Sequence, residues 1–554
     1  MSKFNDLAEL IFPEITETIE DLEKRFPKRN LKEGAEVTRF APSPTGFLHT
    51  GSLFTAMVSK NAASHTDGIF YVRLEDTDTK REIKGSSLEL LEQLKFFDVF
   101  PNEGFMGDHE EGEYGPYRQS ERANIYKIVI KDLIKRDLAY PCFCTPEELD
   151  ETRKVQEEFK QIPGYYGQYA KCRFLSVDEQ IELIKAGKPY VIRFKSQGNH
   201  NNKIRVHDEI RGTIDIAQND LDTVILKSDG LPTYHFAHVC DDHFMHTTLV
   251  TRGEEWISSL PIHIEMFNLI GWTAPKYAHL PLIMKLENGN KRKLSKRKDP
   301  EAAVSFFDEQ GFPSYATLIY LMSIANSNFE EWTRDNQNYS IDAFPFSVSK
   351  MSLDGALFDM DKLSYFSKEY LSRLTADEMV NNSLEWAKRH NKELENLILS
   401  DINYYTQIMS IERNKEKPRK DYAKYSDILP VISFFYKDKF ASLIKDGYTF
   451  NETFEKTLIK DILTTFKANL DLSKTEEEWF NGLKEIATNN GFAMNNKEFK
   501  KNPGVYKGHV GDVAEMVRIA LTGRKNSPNL YCVIQTLGLD EVNSRLDFAI
   551  NYLG

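Results

Sequence analysis

Apolar residues recur at helical spacing through the first 36 residues (Leu7, Leu10, Ile11, Ile15, Ile19, Leu22), with Asp and Glu between them, until Pro27 and Gly34 interrupt the pattern. Spacings of three and four residues put these side chains on one helix face, so an amphipathic helical extension is predicted. From Glu36 the period changes. A strand-like run over 37–40 is followed by a Pro- and Gly-rich segment over 41–52 and then by helical spacing over 53–63. Strand, tight loop and helix in that order is the opening unit of a nucleotide-binding α/β sheet. Residues 69–74 predict a second strand, with Glu75, Asp76 and Asp78 at its carboxyl end, the end that faces a ligand in an open parallel sheet. Further strands are predicted at 190–194, 223–227 and 246–251, and from about Ser364 the pattern is helical to the C-terminus.

Composition narrows the class. With 554 residues, 41% of them hydrophobic, 12% aromatic and 28% charged, the chain predicts several globular domains with real cores and excludes disorder and fibrous repeats. No stretch approaches the roughly 20 apolar residues of a membrane-spanning helix, and Lys3, Asp6 and Glu9 stand where a signal peptide would be apolar, so a cytoplasmic protein with no membrane contact is expected. Five cysteines are too few for a disulfide framework in a chain this long. A net charge of −13 argues against nucleic-acid binding over the whole surface. Locally the balance reverses: Lys285, Lys291, Arg292, Lys293, Lys296, Arg297 and Lys298 stand against the single Glu287.

Two segments carry candidate chemistry. In 41–52, Pro42 and Pro44 stiffen the loop, while Gly46 and Gly51 let a ligand approach the backbone and open a helix whose first N–H groups attract phosphate. His49 at that helix start either caps the helix or donates to a phosphate oxygen. The run Lys293-Leu294-Ser295-Lys296-Arg297 is either a solvated face or a pair of lysines that neutralises a leaving pyrophosphate.

Together the two segments resemble the HIGH and KMSKS motifs of class I aminoacyl-tRNA synthetases, and RFAPSPTGFLHTG at 39–51 resembles the glutamyl-tRNA synthetases. The same family resemblance continues through Arg-Leu-Glu-Asp-Thr-Asp (73–78), Gly-Pro-Tyr-Arg-Gln-Ser (115–120), Lys-Ser-Asp-Gly-Leu-Pro-Thr-Tyr-His (227–235), Asp241-Asp242-His243 and Arg-Gly-Glu-Glu-Trp (252–256), and ends with Ala520 to Arg524 and Ser527-Pro528. It implies a multidomain α/β plus all-α protein. A helical extension would occupy 1–36. A Rossmann-type catalytic domain at 37–135 and 220–284 would be split by an acceptor-binding insert at 136–219. A stem-contact region with the KMSKS-like loop at 285–370 would precede a helical anticodon-binding domain at 371–554.

The activity implied is ATP- and Mg2+-dependent formation of glutamyl-adenylate from L-glutamate and transfer to tRNA-Glu, by a monomer, with charging of tRNA-Gln as the alternative. Carried over residue by residue, the resemblance gives His49, Lys293 and Lys296 as catalytic. ATP would meet Thr45, Gly46, His49, Gly51, Glu254, Trp256 and Lys296. Glutamate would meet Arg39, Ser43, Glu75, Tyr234, Arg252 and His238, the last in place of the Asn or apolar residue of most members. Asp76, Asp78, Asp241 and Asp242 are either magnesium partners or partners of arginine.

Cys142, Cys144 and Cys172 resemble the zinc site of some members, but the usual His position is Phe174, so the fourth donor would be Tyr165, Tyr166, Tyr169 or water. The alternative is three buried thiols. In the helical half, Arg413, Lys415, Lys417, Arg419, Lys420 and Lys424 interleaved with Tyr422 and Tyr425 suit RNA contact or a solvated face. A glutaminyl-tRNA synthetase is disfavoured by Pro42-Ser43-Pro44-Thr45-Gly46, a short glutamyl-queuosine enzyme by the residues beyond 370, and a non-catalytic paralogue by His49, Lys293 and Lys296.

Overall fold

The computed structural model describes residues 3–78, 83–295, 297–336, 340–353 and 356–554. The chain divides into two compact units, Met1–Phe306 with Leu318–Asp359, and Phe307–Thr317 with Met360–Gly554. Among the described residues no helix is long and apolar enough to cross a membrane.

The first unit is built on an eight-stranded sheet. Its centre is β1 (Val37–Phe40), all four residues of which are buried, flanked in parallel by β2 (Ile69–Val72) on one side and by the strand Leu249–Gly253 on the other. Parallel pairing demands a crossover. It is supplied by α3 (Thr50–Ser64), packed on β1 and β2 through Leu53, Phe54, Met57 and Val58. The helix Lys3–Ile11 is then α1 and Ile19–Arg25 is α2, the two pieces of the N-terminal extension. Beyond Leu249–Gly253 the sheet continues through the parallel strand Lys276–Leu280 to the hairpin Lys203–Asp208 and Gly212–Ala217. This hairpin falls within the stretch that the sequence places in the insert, yet it extends the catalytic sheet. Its alternation of charged residues with Ile204, Val206, Ile214 and Ile216 marks two strands but cannot say which edge they join. A separate antiparallel sheet joins Ala139–Cys142, Val191–Phe194 and Val224–Leu226.

The strand readings at 37–40, 69–74, 190–194, 223–227 and 246–251 each coincide with a strand, the first at both ends and the others with ends displaced by at most three residues. The second unit is all helical, with a core of residues such as Trp386, Phe435, Ile462 and Val517.

The extension belongs to the first unit. Leu7, Ala8 and Leu22 are fully buried, and Lys131, nearly so, donates to the carbonyls of Phe12 (3.0 Å) and Ile15 (2.6 Å) where α1 ends. Arg29 forms a bidentate pair with Glu103 (2.7 and 2.6 Å), donates to the Met245 carbonyl (2.9 Å) and lies 3.8 Å over the Tyr114 ring. Removing one partner of such a buried pair strands the other. Arg29→Ala is therefore expected to cost about 3–5 kcal/mol of stability, read as a lowered Tm together with faster proteolysis within residues 3–36; an unchanged melt would show that the extension is not held by this pair.

Candidate active site

The chain leaves β1 toward β2 and later returns on the other flank of β1, so the carboxyl ends of β1 and Leu249–Gly253 lie side by side at a topological switch point. Open α/β sheets hold ligands outside such a point. A cavity of about 650 Å³ opens there. Arg39, Ser43, Thr45, Gly46, His49, Gly51, Glu75, Tyr234, Arg252, Trp256 and Lys293 all line it, although they come from five separate stretches of chain.

The loop after β1 is fixed by its carbonyls. The Pro42 carbonyl accepts from Glu75 N–H (3.0 Å), and the Pro44 carbonyl accepts from Ile83 N–H (3.0 Å) and Ser86 Oγ (2.8 Å). Gly46 has φ +144°, a conformation closed to other residues. His49 is the N-cap of α3, and its Nδ1 accepts the Gly51 N–H at 2.9 Å. A side chain at position 51 would crowd that nitrogen at 3.2 Å. With Nδ1 accepting, the neutral ring carries its proton on Nε2, so capping and donation to a phosphate are compatible roles.

Lys293 arrives from an antiparallel hairpin, Met284–Glu287 with Asn290–Lys293, closed by Asn288 and Gly289 at positive φ. An Asn-Gly turn is the strongest short hairpin signal, and the sequence carried it unread. The hairpin base is tied by Asp299, which accepts from Arg292 (2.6 and 2.8 Å) and from Ser295 N–H (2.8 Å); those bonds hold its carboxyl well below the usual range. The following segment docks on the first loop through Thr50 Oγ1 to the Glu301 carbonyl (2.7 Å) and Val304 N–H to the Leu48 carbonyl (3.1 Å). Lys293 Nζ lies 3.8 Å from Glu255, a lining residue the sequence reading did not select. Lys296 lies outside the described residues.

Two expected site residues are placed elsewhere. His238 is fully buried one helical turn behind Tyr234, with Nδ1 2.9 Å from Asp242 and Nε2 3.2 Å from the Tyr277 hydroxyl. Burial pushes its imidazole down to about 3, so it is a neutral member of the pocket's backing and not of its lining. Glu254 turns toward Arg211 and accepts from Leu282 N–H (3.4 Å), while its neighbours Glu255 and Trp256 face the cavity.

Beneath the cavity lies a buried ionic cluster. Asp242 is within 2.6 Å of Arg73 and 3.3 Å of Arg39; Asp241 takes Arg122 (2.6 Å), Gln119 (2.9 Å) and Tyr126 (2.9 Å). The nearby guanidinium groups of Arg39 and Arg73 outweigh burial and hold the Asp242 carboxyl well below the usual range. Asp241 and Asp242, two of the four aspartates offered by the sequence as magnesium partners, are thus occupied by cations of the protein. Asp76 likewise accepts from the Ser120 N–H and hydroxyl, each at 2.8 Å. Glu75 accepts from Arg73 at 3.1 Å, and burial raises its carboxyl against the pull of Arg73 and Arg39. Arg252 differs. Its hydrogen-bond partners include His279 Nε2, His263 Nδ1, the Trp256 carbonyl and the Tyr234 side chain, and among the described residues it forms no salt bridge with a carboxylate.

Residues 36–364 match the catalytic domain of class I tRNA synthetases (E and Q), and residues 416–550 match an anticodon binding domain. The chain is 44% identical over 544 residues to a glutamate–tRNA ligase of Clostridium perfringens (strain 13 / Type A), covering 98% of this chain and 100% of that protein. The chain belongs to the glutamate–tRNA ligase family of class I aminoacyl-tRNA synthetases. It is also 45% identical to a glutamate–tRNA ligase of Acetivibrio thermocellus over 544 residues, 98% of this chain and 99% of that one. A crystal structure of a glutamate tRNA ligase from Elizabethkingia meningosepticum in complex with its amino acid superposes with a TM-score of 0.73 at 28% identity, covering 94% of this chain and all of that one.

In the insert, Cys142, Cys144 and Cys172 bring their sulfurs within 4.8 Å of one another. Tyr165 supplies the hydroxyl nearest them, 3.4 Å from Cys142 and 3.3 Å from Cys144, and accepts the Cys172 N–H at 3.0 Å. In the helical unit the mixed basic and aromatic run is partly structural. Arg413 caps the carbonyls of Leu371 (2.6 Å) and Leu374 (2.9 Å), and Tyr425 is buried in the core, so neither presents the RNA-stacking surface that the sequence suggested.

Asp242→Asn keeps the shape of the cluster and removes the charge that Arg39 and Arg73 share. A loss of about 3–5 kcal/mol is expected. In the parent this contribution is complete above the ordinary carboxylate range and is lost as pH falls, because the folded-state pKa is depressed. Calorimetry of both proteins at neutral pH checks it, and equal melting temperatures would contradict it.

Proposed function

We propose that the cavity binds ATP and L-glutamate together, that glutamyl-adenylate forms there, and that the glutamyl group passes to the 3′ end of tRNA-Glu, in the cytoplasm and by a monomer. The observation that carries this reading is Arg252, a buried cation whose protein partners are imidazoles, a tyrosine side chain and a backbone carbonyl, none of them charged. Desolvating a guanidinium without a counter-charge is costly, and a ligand carboxylate removes that cost through paired N–H donors. The amide of glutamine does not supply that charge.

Glu75 would accept the α-ammonium group, with Ser43 and Tyr234 as hydroxyl partners. ATP would occupy the half of the cavity formed by Thr45, Gly46, His49, Gly51, Trp256 and Lys293, with magnesium carried on its phosphates. The α-carboxylate of glutamate attacks the α-phosphorus and pyrophosphate leaves, its charge offset by His49 Nε2–H, Lys293 and Lys296. A ribose hydroxyl of the tRNA then attacks the adenylate carbonyl and AMP leaves. Residues 136–219, apart from the hairpin 203–217 that joins the catalytic sheet, are assigned to the acceptor end, 285–370 to the stem and 371–554 to the anticodon, the last supported by the match at 416–550.

We assign zinc to the cysteine cluster, with Tyr165 as fourth donor. The Cys144–Cys172 sulfur separation is 3.6 Å, close to the edge of about 3.8 Å of a tetrahedron of thiolates at about 2.3 Å from the metal. Bound zinc would cross-link residues 142–144 to the turn Lys171–Phe174.

Aminoacylation with labelled glutamate on purified tRNA-Glu and tRNA-Gln tests the main reading; charging of tRNA-Glu is expected, and no charging of either overturns it. Lys296→Ala is expected to lower ATP–pyrophosphate exchange by about two orders of magnitude without loss of folding. For the cluster, protein purified without chelator is expected to carry about one equivalent of zinc, and less than about a tenth of an equivalent overturns the assignment.

A further inference from the structure

Arg252 is held by a directed chain of histidines. Its Nε donates to His279 Nε2 at 3.0 Å, its Nη1 to His263 Nδ1 at 3.2 Å and its Nη2 to the Trp256 carbonyl at 3.3 Å, with the Tyr277 ring 4.9 Å beneath. A guanidinium has donors only, so each imidazole nitrogen that faces it is unprotonated. That sets both tautomers. The His279 proton is on Nδ1, which meets Asp208 Oδ2 at 2.6 Å, and the His263 proton is on Nε2, which meets His235 Nδ1 at 3.0 Å. The donors and acceptors therefore run without conflict along Asp208, His279, Arg252, His263 and His235.

The sheet makes this arrangement local. Arg252 and His279 are directly opposed in the parallel register of their two strands, and His263 reaches in from the helix Leu260–Ile270. The contrast with the three arginines of the ionic cluster is chemical. Arg39, Arg73 and Arg122 are each matched by Asp241 or Asp242, so their charge is spent inside the protein. Arg252 is held as firmly by groups that carry no charge.

We propose that His263 and His279 are positioning residues for substrate selection: neutral acceptors that fix the direction of the Arg252 guanidinium while leaving its positive charge for the ligand's side-chain carboxylate. This rests on the reading of Arg252 given above. Burial supports it. Both rings are fully buried, and desolvation pushes both imidazoles below their ordinary range, helped at His263 by His238, Arg252 and His235 and at His279 by Arg252 against the pull of Asp208, so both stay neutral at physiological pH. The charged groups around them are Asp242 for His263, and Asp208 and Arg211 for His279; Asp208 holds the proton of His279 on the far nitrogen.

The test compares two substitutions of nearly equal shape. His263→Asn offers a neutral acceptor near the Nδ1 position, and His263→Asp offers a charged one that cancels Arg252. The expected result is a glutamate KM raised by about tenfold or more in His263→Asp, the size of a charged hydrogen bond, with the ATP KM unchanged and His263→Asn close to the parent. Equal glutamate KM values in the Asn and Asp variants would overturn the proposal. Arg252→Gln run in parallel separates the two levels: an unchanged glutamate KM there removes Arg252 from the amino-acid site, whereas a raised one beside equal Asn and Asp variants removes only the histidine role. Should the Asp variant fail to fold, 15N spectra of the histidine-labelled parent protein decide. Unprotonated Nε2 on His279 and unprotonated Nδ1 on His263 are expected, and the opposite tautomers or a charged ring at neutral pH would overturn the proposal.

Discussion

Two adjacent carboxylates, Asp241 and Asp242, sit with no exposure to solvent at the far end of the helix Tyr234–Phe244. Neighbouring charges of one sign cannot be buried alone, so the fold must bring cations to them. It brings Arg39 from β1, Arg73 from the end of β2 and Arg122 from the turn before the helix Ala123–Lys135. Each arginine is pinned to a different element. The cluster therefore fixes the separation of β1, β2 and that helix, and it thereby fixes where Tyr234, two turns up the same helix, meets the cavity.

The distribution of counter-charge then divides the floor of the cavity by function. Where arginine meets aspartate, the charge is neutralised and the contribution is to shape. Where arginine meets imidazole and carbonyl, the charge is kept and the site can select an anion. One register in one sheet provides both, because Arg39 and Arg252 leave adjacent strands at the same end. The same cavity is lined by His49, the cap at the start of α3, and by Lys293 from its hairpin, donors of the kind that suit an anion.

The surrounding structure braces this floor. Arg29 binds the extension to Glu103 of the catalytic sheet and Lys131 binds it to the helix Ala123–Lys135 with charged hydrogen bonds, and the hairpin Lys203–Asp208 with Gly212–Ala217 continues the sheet past Lys276–Leu280. That hairpin delivers Asp208, which reaches the backbone N–H of His279 (3.0 Å) as well as its ring. A segment read as part of the insert thus contributes to the backing of Arg252.

The sequence by itself determined the local units: the strand, loop and helix at 37–64, the strands near 69 and 249, the helical second half, and the residue types that face the cavity. These follow from periodicity, turn chemistry and motif wording, all of which act over a few residues. Through the family resemblance it named eleven residues that line one cavity, because the motifs that carry the resemblance are short runs of neighbouring residues. Only the tertiary structure decided pairing over long sequence distances. Asp241 and Asp242 look the same in the sequence whether they bind magnesium or arginine, and His238 looks like a lining residue until its helix is seen to turn it onto Asp242 and Tyr277. His263, His279 and Asp208 lie 11, 27 and 44 positions from Arg252 along the chain and carry no common motif; strand register and helix packing alone bring them to one guanidinium. Burial and counter-charge are properties of that assembled neighbourhood, and no local pattern encodes them.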